Sequence, residues 1–189
     1  MKKINTLFAA LLIVGTASAQ TWTLDKTHAK LGFGITHFLI SDVEGSFKTV
    51  DATITSSKED FSDAVIELKG DATSINTENE DRDKHLKGPD FFDVEKFNTL
   101  TFKSTSFKKV EGKKYKLIGD LTLHGVTKQV ELDAIVNGPI VHPYNNKTIA
   151  GFKFTGTIKR SDFGIGAKYP GAALSEEVVI TANGEFVKG

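Results

Sequence analysis

The sequence predicts an all-β domain, an eight-stranded antiparallel barrel with one short helix between strands. Three observations point there. Alternation of apolar and polar residues recurs from end to end, a single segment carries helix signals, and glycines fall repeatedly inside the alternating rows. Many strands with one apolar face each fit either a sandwich or a closed barrel. Gly32, Gly34, Gly70, Gly119, Gly156 and Gly184 favour the barrel, because a missing side chain weakens a flat strand but permits the bends that closure needs.

In chain order, Trp22 and Leu24 open the pattern. Ala29, Leu31, Phe33 and Ile35 then face one way while Lys30, Gly32, Gly34 and Thr36 face the other. A change of phase between Phe47 and Val50 predicts a bulge, and Val50, Ala52 and Ile54 resume the alternation. The rows Ala64, Ile66, Leu68 and Leu100, Phe102 flank the helical segment. There Thr77 and Glu80 read as a capping box, and the run to Leu86 stops before Gly88-Pro89. Its acid-before-base spacings, Glu78 to Arg82, Glu80 to Lys84 and Asp83 to Lys87, suit a solvated helix, with docking over a barrel end as the alternative. Tyr115, Leu117, Gly119, Leu121 and Leu123 form the longest row. A turn at residues 124–127 leads to Val130, Leu132 and Ala134, and residues 139–147 read as a longer surface loop. Phe152, Phe154 and Ile158, then Val178, Ile180 and Ala182, complete eight or nine strands.

The first 19 residues read as a secretory signal peptide: Lys2 and Lys3, an apolar run over residues 7–14, and small residues at Ala17, Ser18 and Ala19. The expected cut after Ala19 leaves residues 20–189 as one domain, exported to the periplasm or secreted. The apolar run is too short to span a bilayer and none follows it, so no integral membrane segment is expected in the mature chain. The leader takes two of the 24 basic residues and none of the 24 acidic ones, so the remainder carries a net charge of −2, which invites neither nucleic acid nor an anionic surface. With no cysteine there is neither a thiol for lipid attachment nor a disulfide, and stability rests on the core. A homodimer is compatible with the sequence.

A barrel of eight strands is at the size where side chains fill the interior or one small ligand does. Two inward rows run out into polar residues in phase: Leu31, Phe33, Ile35 continues to His37, and Phe154, Gly156, Ile158 continues to Arg160. If the period holds, Leu31, Phe33, Ile35, Ile66, Leu68, Phe102, Leu121, Leu123, Leu132, Phe152, Phe154, Ile158 and Ile180 line a greasy shaft, with His37 and Arg160 at its rim. Such a shaft suits an amphiphile, tail desolvated inside and head group paired at the rim. The alternative for either rim residue is an acidic neighbour or solvent at the strand end.

Other chemistry finds little support. The five histidines, His28, His37, His85, His124 and His142, lack the close spacings of zinc ligands, so no metal and no cofactor is expected. Neither a Gly-x-Ser-x-Gly elbow nor a phosphate-cradling loop is present, and Asn146-Lys147-Thr148 is a glycosylation sequon of a kind common by chance.

From Thr21 onward the sequence resembles the YceI-like family of lipocalin-like, lipid- and polyisoprenoid-binding proteins. The residues carrying the likeness are Trp22, Leu24, Asp25, His28, Phe33, His37, Gly45 and Phe47, then Ser74, Ile75, Thr77, Arg82, Asp83, His85 and Leu86. Phe91, Phe92, Asp93, Leu100-Thr101-Phe102, the run Gly119, Leu121 to Gly125 and Thr127, and finally Arg160 and Asp162 to Ile165 continue it. The resemblance implies an extended lipocalin-like barrel with a long apolar pore, holding an isoprenoid or fatty lipid in the periplasm. Two further functions compete with lipid carriage: a module for a protein partner or other small apolar molecule, and a lipid-modifying enzyme, for which His37 and Arg160 are the candidates.

Overall fold

The computed structural model describes residues 18–189, so the charged start and apolar run of the expected leader lie outside the described residues. Ten strands and one helix follow: β1 (Gln20–His37), β2 (Ser41–Phe47), β3 (Val50–Ser56), β4 (Val65–Asp71), β5 (Ile75–Asn76), α1 (Glu80–Lys87), β6 (Thr99–Glu111), β7 (Lys114–Leu123), β8 (Val126–Val141), β9 (Thr148–Lys159) and β10 (Leu174–Lys188). Eight of them, in the order β1-β3-β4-β6-β7-β8-β9-β10, close into an antiparallel barrel through the β10–β1 pairing. The other two, β2 and β5, lie beside β1 and extend the wall.

The long strand β1 makes this possible by serving two neighbours. Its first residues pair with β3, as in Trp22 opposite Ile54, and its last pair with β2, as in Phe33 opposite Gly45. A register shift between Leu24 and Ala29 against β10 bends the strand between these two halves. The phase change at residues 47–50 has a related origin. It is not a bulge within one strand but the junction where the chain leaves β2 for β3, pinned by Lys48 N–H donating to Ser74 O (3.1 Å) and Thr49 N–H to Ser74 Oγ (3.0 Å).

Alternation sends one face of each strand inward. Two glycines make room for large inward rings: a Cβ on Gly119 would collide with the Phe102 ring, and one on Gly45 with the Phe33 ring. The β7–β8 turn is a two-residue His124-Gly125 link with both residues at positive φ, 51° and 73°, the backbone that matches strand twist in a tight hairpin. The predicted loop at residues 139–147 is shorter than expected. Strand β8 continues through Pro139 to Val141, and the turn is confined to residues 142–147. Proline is tolerated there because the ladder to β9 is interrupted between Asn137 and Ile140, where a missing N–H costs nothing.

The helix also departs from expectation. Asn79, not Thr77, caps it, its side chain accepting from Arg82 N–H at 2.9 Å. Asp83 is buried and accepts from both Thr77 N–H (2.7 Å) and Thr77 Oγ1–H (2.6 Å), so it is unavailable to Lys87. The helix ends before Pro89 with Gly88 extended, as the residue preceding proline prefers.

At one end the barrel is filled. Trp22, Phe61, Phe152 and Phe186 meet edge to face, with centroids 5.0 Å apart for Trp22–Phe61 and Phe61–Phe152 and 5.3 Å for Phe152–Phe186. Phe61 is not on a strand. It reaches in from the β3–β4 loop, held by Asp63, which accepts from Ser56 Oγ–H (2.5 Å), Ser57 N–H (3.0 Å) and the Ser57 hydroxyl. Although burial pushes the Asp63 carboxyl up, those hydrogen bonds outweigh it and hold the group well below the usual carboxylate range. Tyr115 closes the same loop by donating to Asp60 O at 2.5 Å.

Candidate functional site

Above this aromatic floor the barrel is hollow. A deep chamber of about 120 Å³ is walled by Leu31, Ile66, Leu68, Phe102, Leu121, Leu132 and Phe154, among others. A wider chamber of about 440 Å³ opens toward the opposite end and includes Ile35, His37, Arg160 and Val178 in its wall. Phe33, Phe47, Leu123, Ile158 and Ile180 border both chambers, so the two stack end to end along one shaft. The walls are almost wholly hydrocarbon; Lys30, Thr181 and Asn183 of the paired strands β1 and β10 border the deep chamber, and the other polar side chains collect at the mouth.

Twelve of the thirteen side chains expected in the shaft stand in its wall, because every strand keeps the phase read from its alternation. Phe152 is the correction. It is 1% exposed, sandwiched between Phe61, Phe154 and Phe186, and belongs to the packed floor beneath the cavity. Periodicity gives the face of a strand but not where along the axis a loop residue such as Phe61 seals it.

The two rim residues behave differently from each other. His37 ends β1 exposed at the mouth, its ring 4.2 Å from that of Phe38. Arg160 does project into the wall of the upper chamber, but its guanidinium is spent on the protein and is not presented as a free cation. It is 3% exposed and donates through Nε to Ser175 O (3.0 Å), through Nη1 to Ile165 O (3.2 Å) and Gly166 O (2.6 Å), and through Nη2 to Tyr169 O (2.7 Å), Leu174 O (3.0 Å) and Glu176 Oε1 (2.8 Å). Six acceptors meet a group with five N–H donors, which leaves none for a ligand. Arg160 instead ties the short 3-10 turn at Arg160–Phe163 to the loop before β10.

The mouth has other polar groups, on the helix for which solvation and docking over a barrel end are the two expectations. Arg82, His85 and Leu86 of α1 all border the upper chamber, so the helix docks over the barrel end. Arg82 donates through Nε to Thr77 Oγ1 and through Nη2 to Thr77 O, both at 2.7 Å, and its remaining N–H groups have no protein partner among the described residues. His85 packs edge to face on Phe91 with centroids 5.0 Å apart, and its Nε2 lies 3.2 Å from Tyr169 Oη. The i, i+4 spacing suggested a salt bridge from Arg82 to Glu78. That pairing is precluded by Glu78 sitting before the helix at positive φ (61°).

Outside the pore, one cluster among the described residues gathers ligand-type atoms. Pairing of β1 with β10 brings Asp25, His28 and Glu185 together, with His28 Nδ1 2.9 Å from Asp25 Oδ2 and 3.8 Å from Glu185 Oε2. Sequence spacing could not show this, since Glu185 is distant in the chain. Hydrogen bonds account for the arrangement. Asp25 Oδ1 accepts from Thr27 N–H (2.9 Å) and Oγ1–H (2.7 Å), which shapes the bend of β1. The bonds from His28 and then Thr27 hold the Asp25 carboxyl at about 2, while the Asp25 bond and the Glu185 charge raise His28 above its ordinary value.

Comparison with known proteins agrees with this architecture. Residues 22–186 match the YceI-like domain. Protein YceI of Salmonella newport is 38% identical over 181 residues, covering 95% of this chain and 94% of the relative. The crystal structure of the Campylobacter jejuni YCEI protein superposes with a TM-score of 0.73 at 35% identity, over 87% of this chain and 96% of that one. A polyisoprenoid binding domain from Saccharophagus degradans shares the fold, with a TM-score of 0.67 at 16% identity, over 89% of this chain and 98% of its own. Sequence and structure thus agree over nearly the whole described chain, which belongs to the YceI-like family.

Proposed function

We propose that the protein binds and carries, or sequesters, one long apolar lipid, a polyisoprenoid or fatty-acid-like amphiphile, held tail-first in the barrel. The observation that carries this reading is the shaft itself: set above the packed ring cluster of Phe61 and Phe152, walled almost wholly by hydrocarbon, and opening at the end where His37, Arg82 and His85 line it. Tail burial stabilises the complex by about 0.8 kcal/mol per methylene, so affinity rises with chain length until the tail meets the floor. Branching discriminates weakly in such a wall, and head-group selectivity falls to the mouth, with Arg82 as the cation for a phosphate or carboxylate. The polyisoprenoid-binding description of the Saccharophagus degradans domain supports this class of ligand. Carriage rather than catalysis fits a shaft whose deep wall is aliphatic and aromatic but for Lys30, Thr181 and Asn183.

In this reading the protein works in the periplasm or outside the cell after cleavage behind Ala19. Among the described residues no helix is long and apolar enough to cross a membrane. The direct test is mass spectrometry of an organic extract of the protein purified from its own envelope fraction. One lipid per chain is expected. An empty pore that also refuses prenols and fatty acids in titration overturns the proposal and returns weight to a protein-binding module.

A further inference from the structure

The β1–β2 turn places three consecutive large apolar residues in solvent: Phe38, Leu39 and Ile40 are 58%, 68% and 85% exposed. Two of them are held in left-handed backbone, Phe38 at φ 50° and Leu39 at φ 60°, a conformation that bulky residues rarely adopt. Exposed apolar residues are ordinary when single. A run of three on a strained hairpin tip is not, and local strain of this kind concentrates at functional sites.

The position of the tip says what it meets. Phe38 forms part of the wall of the upper chamber as well as part of the surface, so the tip is the lip of the pore. Its N–H donates to Ala173 O at 3.0 Å, joining it to the loop before β10; Ala173 and Leu174, the first residue of β10, border the same opening. Between His37 and Asp42 the tip carries no charged side chain, so it enters hydrocarbon without burying an unpaired ion. Two of its N–H groups are paired within the protein, Phe38 to Ala173 O and Ile40 to His37 O at 3.2 Å, which lowers the cost of taking the turn out of water.

We propose that residues 38–40 are a membrane-docking tip that seats the pore mouth on a lipid bilayer, so that a lipid passes between bilayer and shaft without its tail crossing water. This rests on the reading of the shaft as a lipid site. The attraction is apolar, so neutral phosphatidylcholine vesicles suffice as the partner. A second exposed apolar group, Ile140 and Val141 with Tyr144, sits near the β8–β9 turn beyond the aromatic floor and serves as the control.

The test is co-sedimentation of the purified protein with phosphatidylcholine vesicles, with and without a polyprenol in the bilayer. Leu39→Ser/Ile40→Ser, which leaves the chamber wall untouched, lowers the vesicle partition coefficient at least about tenfold. Ile140→Ser/Val141→Ser leaves it within about twofold, a surface change away from the mouth. The tip variant also slows polyprenol uptake from vesicles, while uptake of the same polyprenol from detergent dispersion is unchanged. Wild-type protein that ignores vesicles, or a tip variant that binds them as well as wild type, overturns the proposal. So does a dimer in analytical ultracentrifugation that the tip variant dissolves while neither protein binds vesicles. Failure of the lipid reading looks different: no polyprenol is taken up by either route, whatever the vesicle result.

Discussion

The Phe61 ring meets the Phe152 ring edge to face, centroids 5.0 Å apart and planes at 84°, and this contact between a loop and strand β9 lies in the packed floor directly behind Phe154 and Phe186, which line the deep chamber. Phe61 is 1% exposed and comes from a segment whose conformation Asp63 fixes through Ser56 and Ser57. For a tail held in the shaft as proposed, this loop sets the depth of the floor and the strands set the width.

Phe61→Ala is expected to lower unfolding stability by about 3–5 kcal/mol, as for other fully buried phenylalanines. If the truncated floor leaves a void rather than collapsing, the preferred chain length of the bound lipid grows by several carbons. Chemical denaturation reads the first effect, and a chain-length series of fatty acids or prenols reads the second. An unchanged length optimum in a folded variant places the end of the shaft elsewhere.

Leu121 and Thr122 are neighbours on β7 with opposite fates, Leu121 in the wall of the deep chamber and Thr122 facing outward, its Oγ1 2.8 Å from that of Thr127. Leu121→Asp buries an unpaired charge and is expected to cost several kcal/mol or to empty the pore. Thr122→Asp is expected to cost about 1 kcal/mol or less. Comparable losses of stability and lipid binding at both positions contradict the assignment of faces.

That contrast shows what a sequence conveys here. Faces follow from a period of two, so the side that Leu121, Leu132, Phe154 and Ile180 share was legible, and enough strands to close a barrel were visible as separate rows. Depth was not. Phe152 has the same phase as Phe154 but lies in the floor, because the seal comes from Phe61 in a loop with no periodic signal. Nor was the partner of a buried cation: nothing in the spacing of Arg160 announces that five backbone carbonyls and Glu176 converge on it from residues 165–176. The helix misled in the opposite sense, since its i, i+4 charges suit solvent, yet Thr77 draws both Arg82 and Asp83 toward the barrel.

The Asp25–His28 pair predicts a pH dependence of the β1 bend. His28 has its value raised in the fold, so its contribution is fully present below the unfolded value of about 6.5 and is lost as pH rises through the folded value. Asp25 is lowered to about 2, so its contribution is present above the unfolded value near 3.8 and is lost as pH falls toward 2. The pair is thus complete between about pH 4 and 6.5. Titration followed by NMR is expected to place His28 above a free histidine, and Asp25→Asn is expected to bring it back down. A His28 that titrates identically in both proteins shows that the pair does not form in solution.

The two arginines at the mouth separate a structural cation from a head-group reader. Arg160 has every donor committed, and Arg82 does not. Arg160→Lys keeps the charge but replaces a planar fork by a point donor that cannot serve acceptors on Ile165, Tyr169, Leu174 and Ser175 together. It is therefore expected to lose about 2–4 kcal/mol of stability, through buried carbonyls left without donors, and to weaken anionic and neutral ligands alike. Arg82→Gln is expected to spare most of the stability, because the residue is exposed, while weakening a prenyl phosphate or fatty acid more than the matching alcohol. Titration of both ligands against both variants, with denaturation curves alongside, checks the assignment. A head-group preference that follows Arg160 and ignores Arg82 reverses it, and would require the guanidinium of Arg160 to leave its carbonyl cage when ligand enters.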